Sequence, residues 1–353
     1  MSKRIKIRLA TEKDKDGLLK LTRQSPMQGV IGVRIDREPD FFALTKLRGV
    51  SKVWVAEKEG EIIGVFSCSR KKVWLNGKIK DVHYLADLKV LPQLQGTRIA
   101  LQIVQILHDY LLQVKANLLY CTLAKGNNRV APFFEGRVGI PGFRMLGQFS
   151  VWQILPRSKP GKLIVEIQDN TLNLGELSRF YNQYYKSYQL APFVQEQNLE
   201  KSEHLFALKN GKVVAALSLF DSLPYKQNVV VHLPFFLKIL VWLSKISKGF
   251  GGRMHFPAIG QPIRTLHVKY LACLEGQERA LRSLLQQARY LSACRYYHFL
   301  SLGLHHKDPL ITIGKGIPKI TFTSKFMLSS LQNDEQTIHQ LLDGIVFEDF
   351  SLA

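Results

Sequence analysis

Leu85-Ala-Asp87-Leu88-Lys89-Val90-Leu-Pro92-Gln-Leu-Gln95-Gly96-Thr97-Arg98-Ile99-Ala100-Leu101 is the stretch on which the fold turns. An apolar run ends at Pro92 and a polar turn containing Gly96 follows. Apolar residues then recur at helical spacing as far as Val114. The pattern is a strand, a short loop and a helix. The first N–H groups of such a helix have no helical partner, and with the helix dipole they form a ready anion site. Gly96 lets the backbone come close to a phosphate, and Arg98 adds a full positive charge.

Working outward, the strand Val82–Val90 and the helix Ile99–Val114 lead into a further strand, Leu118–Leu123. A strand-helix-strand pass with short loops implies parallel neighbours and a layered domain. Before it, Val53–Phe66 reads as two strands around Gly60, and Ile5–Leu9 as a strand followed by the amphipathic run Asp16–Arg23. The same order recurs later. Leu163–Ile167 and the run Leu174–Tyr185 precede a hairpin, Leu205–Ser218, around Asn210-Gly211. Strand Thr265–Leu274, helix Glu278–Leu291 and strand Tyr297–Leu302 follow. The expectation is an α/β (α+β) fold of two units, residues 1–157 and 158–353, each a mixed twisted sheet flanked by helices. Pro156–Gly161 would be the linker. The second unit carries an apolar insert at about 223–258.

Composition narrows the class. The chain has 353 residues, of which 46% are hydrophobic and 22% charged, which excludes a disordered, collagen-like or disulfide-scaffold protein. Its net charge is +21, with 27 basic and 13 acidic residues in 1–157 and 22 and 15 in 158–353. Such a surplus favours anionic partners: phosphates, an acidic carrier protein or nucleic acid. Nucleic acid is disfavoured, because no helix-turn-helix, zinc pattern or stacking motif accompanies the charge. Cys68, Cys121, Cys273 and Cys294 lie in apolar stretches with no C-x-x-C pair, so they are expected as reduced, packed thiols, and no metal site is expected. The start of the chain has no apolar leader, and a cytoplasmic location is the expectation. Val229–Ile246 is apolar but short and broken by His232, Pro234, Lys238 and Lys245, so no membrane span is expected. A packed helix, a lining for a greasy substrate and a shallow membrane contact stay open for it.

The loop stretch resembles motif A of the GNAT-type N-acetyltransferase superfamily, V-x-P-x-x-Q/R-x-x-G-x-G/A. Val90, Pro92, Gln95 and Ala100 match, and Arg98 stands at the central glycine. The segment Asn127-Asn128 to Glu135, followed by Gly142-Phe143, is similar to the closing motif N-x-x-A-x-x-F-Y-E-K-x-G-F, with Phe134 at the tyrosine that protonates the departing thiolate. The resemblance spans residues 5–155. It implies a GNAT-like acyl-CoA-binding first unit and a degenerate GNAT-like second unit. In the second, Glu275 and Glu278 stand where the phosphate loop should be, and acids there repel a phosphate.

The implied reaction is transfer of an acetyl group from acetyl-CoA, or of another acyl group from its acyl-CoA, to the amine of a small molecule or peptide. A longer acyl donor on coenzyme A or on an acidic carrier protein is the alternative, favoured by the basic surface and the apolar insert. Arg98 and Phe134 favour a non-catalytic acyl-CoA sensor instead. The resemblance assigns the donor to Leu88, Lys89, Val90, Gln95, Gly96, Thr97, Arg98, Ile99, Ala100 and Asn128. Main-chain N–H groups near Leu88–Val90 would face the oxyanion. Asp87 and Tyr84 are the candidates to relay a proton, with His83 and Tyr120 behind them. Strand alternation puts Asp87 and Tyr84 on opposite faces unless a bulge intervenes. Asp36, Arg37 and Phe41 are expected on the acceptor side, with a solvated loop as the equal alternative. Arg70-Lys71-Lys72, with Lys78 and Lys80, reads as a solvated sheet edge, with attraction of the coenzyme's phosphates or an acidic carrier protein as the functional alternative.

Overall fold

In the computed structural model the described residues are 5–26, 32–125, 136, 140–161, 166–169, 173–235 and 256–353. Asn128 and Phe134 lie outside them, as does most of the apolar run after Phe235. The first half runs β1 (Lys6–Leu9), α1 (Lys15–Arg23), β2 (Gly32–Asp36), α2 (Phe41–Arg48), β3 (Val50–Lys58), β4 (Glu61–Leu75), β5 (Lys78–Val90), α3 (Ile99–Gln113), β6 (Leu118–Ala124) and β7 (Arg144–Ile154). The second half runs β8 (Glu166–Asp169), α4 (Leu174–Tyr185), β9 (Ala191–Pro192), α5 (Glu196–Leu199), β10 (Glu203–Lys209), β11 (Lys212–Asp221), β12 (Gln227–His232), β13 (Thr265–Cys273), α6 (Glu278–Cys294), β14 (Phe299–His305), β15 (Lys319–Ser330) and α7 (Glu335–Asp343).

Both expected hairpins form, and their turns need left-handed backbone. Glu59-Gly60 has φ of 56° and 79°, and Asn210-Gly211 has 53° and 72°, values that glycine and asparagine tolerate best. The two strand-helix-strand passes each give a parallel pair, β5 with β6 and β13 with β14. Helix α3 buries Ile99, Ile103, Val104, Leu107 and Leu111 at i, i+3/i+4 spacing against Trp54, Val65 and Phe66. Helix α6 does the same with Ala280, Leu281, Leu284 and Ala288 against β11, β13 and β14. Truncating one such aliphatic residue costs about 2–5 kcal/mol.

One sheet runs through both halves, in the order β1-β3-β4-β5-β6-β15-β7-β14-β13-β11-β10-β8, with β9 beside β4. The halves exchange strands at its middle. β15 enters between β6 and β7, while β7 pairs on its other side with β14. The linker near 157 therefore marks no break in the sheet. On the face away from α3, Tyr84, Tyr120, Phe149, Phe326 and Val346 form a cluster drawn from both halves.

Two features carry no local signal in the sequence. β2 leaves the main sheet and pairs antiparallel with β12, so the segment after α1 is tied to the insert of the second half. Residues 345–353 run back between the halves, with Val346, Phe347, Glu348, Asp349, Ser351 and Leu352 buried. Cys68, Cys121 and Cys273 are buried thiols, but Cys294 is exposed at the end of α6, because the apolar face of that helix ends before it. Among the described residues no helix is long and apolar enough to cross a membrane.

Candidate active site

β5 and β6 stay paired only through His83↔Leu119 and Tyr84↔Tyr120. β5 then runs on to Val90 and β6 to Ala124 without pairing to each other, which opens a cleft at the carboxyl ends of two parallel strands. Open α/β sheets place ligands there. Beyond the cleft, Pro92–Leu94 makes one turn of 3-10 helix, Gly96 sits at φ 81°, and α3 begins after Arg98. No acid lies in the first turn of α3, and no side chain caps its N-terminus. The N–H groups of that first turn are left to water or an anion. Gln95 Nε2 donates to the Val90 carbonyl at 3.3 Å, and the Thr97 hydroxyl donates to the Leu94 carbonyl at 2.7 Å, so two side chains fold the loop upon itself. Gly96, Thr97 and Arg98 are exposed, Ala100 is half-buried, and Ile99 faces the core and offers only its backbone. A Cβ on Gly96 would meet nothing within 4 Å, so the turn's φ, rather than space, requires glycine there.

The bulge that restores parity is present. The β4–β5 register passes from Ser67↔Ala86 to Val65↔Lys89, so Asp87 and Leu88 together face Phe66. Asp87 adopts φ 57°. A non-glycine residue there carries about 1–2 kcal/mol of strain, less for Asp than for most. The bulge returns Asp87 to the side of Tyr84: Arg48 bonds Asp87 Oδ2 at 2.5 Å while its guanidinium lies 5.6 Å over the Tyr84 ring.

Asp87 is held as a fixed anion. Arg37 bonds its Oδ1 at 2.9 Å and Ser67 donates to Oδ2 at 2.8 Å. Burial alone would raise its pKa, but the charges of Arg48 and Arg37 and the Ser67 bond outweigh burial and keep it far below the usual carboxylate range. Two arginines and a serine hold the Asp87 carboxylate in place, surroundings that the sequence did not indicate for the expected proton relay. Tyr84 is buried, and burial, followed by the charge of Glu348, holds its hydroxyl protonated well above its usual range.

The acceptor-side expectation also changes. Arg37 is 2% exposed, and its second arm donates to the Phe41 carbonyl at 2.8 Å. Phe41 is fully buried beneath the Arg37 guanidinium, at 4.7 Å. Asp36 is buried and takes both arms of Arg34 at 2.8 Å. Gln227 pairs with Asp36 across β2–β12 and also bonds the Glu38 main chain, so this segment packs inward rather than forming a solvated loop. Leu88 is exposed and Lys89 half-buried at the mouth, where burial lowers the Lys89 ammonium.

Several groups escaped the sequence reading. Lys71 points inward from the run read as a solvated edge. Its Nζ lies 3.0 Å from the Tyr120 hydroxyl, 4.1 Å over the Tyr84 ring and 3.7 Å from Glu348. The alternation of β4 was the available signal, since Arg70 and Lys72 face one way and Lys71 the other. Lys226 is buried and donates to the Ala353 main-chain oxygen, and Arg48 Nε donates to the Leu352 carbonyl at 2.6 Å. Burial, then Arg48 and Arg37, bring Lys226 down to about 7. Among the described residues no group of three or more His, Cys, Asp or Glu gathers as a metal site.

Comparison with known proteins fits this geometry. Residues 25–140 match the Acetyltransferase (GNAT) family. No curated protein matches the chain significantly in sequence. Among solved structures, the chain is similar to a Saccharomyces cerevisiae N-myristoyltransferase with bound myristoyl-CoA: TM-score 0.64, 10% identity, 93% of this chain and 83% of that one covered. It is similar to a GCN5-related N-acetyltransferase from Anabaena variabilis, with TM-score 0.53, 12% identity and coverage of 93% and 73%. It is also similar to a probable N-acyltransferase from Enterococcus faecalis, with TM-score 0.53, 10% identity and coverage of 95% and 74%. The cleft between β5 and β6, the loop after it and the uncapped start of α3 thus lie within residues 25–140, the stretch that matches the GNAT family, in a chain that has the GNAT fold.

Proposed function

We propose that the chain transfers an acyl group from acyl-CoA to an amine. The first half, 1–157, holds the donor on Leu88–Ala100, and the second half, 158–353, shapes the acceptor side. The observation that carries this reading is the β5–β6 cleft opening onto an uncapped helix start with Arg98 beside it. The coenzyme's pyrophosphate would lie on the α3 N-terminus, and the thioester would reach back between the strands. The neutral amine attacks the carbonyl carbon and forms the C–N bond. The oxygen takes up the charge facing main-chain N–H groups of the bulge. The C–S bond then breaks, the nitrogen loses its extra proton, and the thiolate leaves as coenzyme A once it has gained a proton.

Acetyl-CoA is the leading donor, as in the family that residues 25–140 match. A longer donor is the second reading, supported by the higher TM-score of the N-myristoyltransferase, 0.64 against 0.53. A thermal-shift titration with coenzyme A, acetyl-CoA and myristoyl-CoA, repeated on Gln95→Ala and Arg98→Glu, tests both. A ligand at 100 times its Kd stabilises by about 2.7 kcal/mol. Stabilisation that both variants lose supports the loop as donor site, and the preferred chain length selects the donor. No stabilisation by any of the three ligands refutes the reading.

A further inference from the structure

The β4–β5 bulge is pinned from outside its own hairpin. Arg37 and Arg48 flank α2 at either end, and both reach Asp87, at 2.9 and 2.5 Å. Each arginine is anchored a second time, Arg37 on the Phe41 carbonyl at 2.8 Å and Arg48 on the Leu352 carbonyl at 2.6 Å. Just past the bulge, the Leu91 N–H donates to the Ile63 carbonyl on the β4 side at 2.9 Å. Antiparallel alternation therefore turns the Val90 N–H, and two residues back that of Leu88, to the other edge, where β6 has stopped pairing. The Val90 carbonyl lies on that same edge, where Gln95 reaches it. The second half offers a contrast at its own bulge. The β11–β13 register slips between Ser218 and Leu219, opposite Lys269. There, in place of a clamped anion, Lys269 donates to the Asn198 carbonyl at 3.0 Å.

We infer that Asp87 is a positioning residue for the thioester. Its ion pairs with Arg37 and Arg48 fix the bulge so that the Leu88 and Val90 N–H groups point into the cleft as oxyanion donors. The inference rests on reading Leu88–Ala100 as the donor site.

The test uses the full chain with acetyl-CoA carrying carbon-13 at its carbonyl, read by infrared or carbon-13 resonance of the bound thioester. Coenzyme A affinity is measured in parallel. In the unmodified chain the C=O band should fall below its frequency in water, as hydrogen bonds to the oxygen require. Asp87→Asn keeps a residue that tolerates the left-handed backbone, but it removes the charge that holds the arginines. It should bind coenzyme A as before and return the band to its solution position. Arg37→Lys keeps the charge but loses the two-armed reach, and it should do the same, which covers the case in which Asp87→Asn fails to fold. Either variant, folded and bound, with the shifted band intact overturns the inference. Failure of the unmodified chain to bind coenzyme A or acetyl-CoA instead overturns the donor-site reading, and the inference with it.

Discussion

The chain builds the same opening twice, and the two differ in what fills the helix start. β13 and β14 pair only through Thr265–His267 and Phe299–Ser301, then part as β5 and β6 do. Each leading strand is followed by a loop with a left-handed glycine, Gly96 at 81° and Gly276 at 73°. At the first, α3 starts with no acid in its first turn and Arg98 before it. At the second, Glu278 opens α6 and its own carboxylate accepts from the Gly276 N–H at 3.2 Å. The second mouth also holds Asp308, near Cys273 and Tyr184. Topology makes the cleft. Whether the cleft receives an anion depends on a few side chains: one mouth leaves its N–H groups open, and the other supplies its own anions.

The largest effect should separate the two bulges. Arg48→Ala strands Asp87 with half its counter-charge in a buried site, an expected loss of about 3–5 kcal/mol in urea unfolding. Lys269→Met at the second bulge replaces a buried cation with an apolar side chain of similar size and should be neutral or stabilising. Equal losses at both sites would break the distinction between a clamped bulge and a merely buried one.

Next comes the acid at the second mouth. Burial raises Asp308 from 3.8 to about 6, although it caps the Leu310 N–H at 2.9 Å and takes the Tyr188 hydroxyl at 3.3 Å. Between these values the folded chain holds a proton that the unfolded chain has lost, so stability falls as pH rises from about 4 to about 6 and then levels off. Asp308→Asn keeps both acceptor contacts and should remove that decline, a gain of order 1–3 kcal/mol at pH 7. A pH series of melting curves with the same slope in both proteins would refute the assignment.

Smaller still, Arg98→Glu gives the first mouth the electrostatics of the second. Coenzyme A affinity should fall about tenfold, the equivalent of about 1.4 kcal/mol, by calorimetric titration. The converse change, Glu278→Gln, should cost no more than about 1 kcal/mol and leave coenzyme A stoichiometry at a single site. A second equivalent bound by that variant would show that the second mouth also holds an anion site.

Much of this was legible in the sequence, for local reasons. Helix α4 begins and ends at Leu174 and Tyr185 as its periodicity indicates, and both hairpins turn on residues suited to positive φ. The loop after β5 declares itself because its chemistry lies within about ten consecutive residues. What stayed hidden depends on distant pairing. The inward aim of Lys71 has meaning only once Glu348 arrives beside it, 277 positions along the chain. Asp87 is drawn as a candidate base by its place on β5, and only the arrival of Arg37 and Arg48 settles it as an anion. Asp36 ends a strand that is covered by β12, which local pattern does not connect to it.

The exchange of strands at the middle of the sheet constrains the order in which the molecule can be assembled. During synthesis β6 emerges long before β15, which must pair with it from Ser330↔Leu118 to Ser324↔Ala124. Until then the edge of β6 is bare, and β7 has neither β15 nor β14 beside it. A newly made first half therefore waits with an unsealed seam, of the kind that slows folding and invites pairing with other nascent chains.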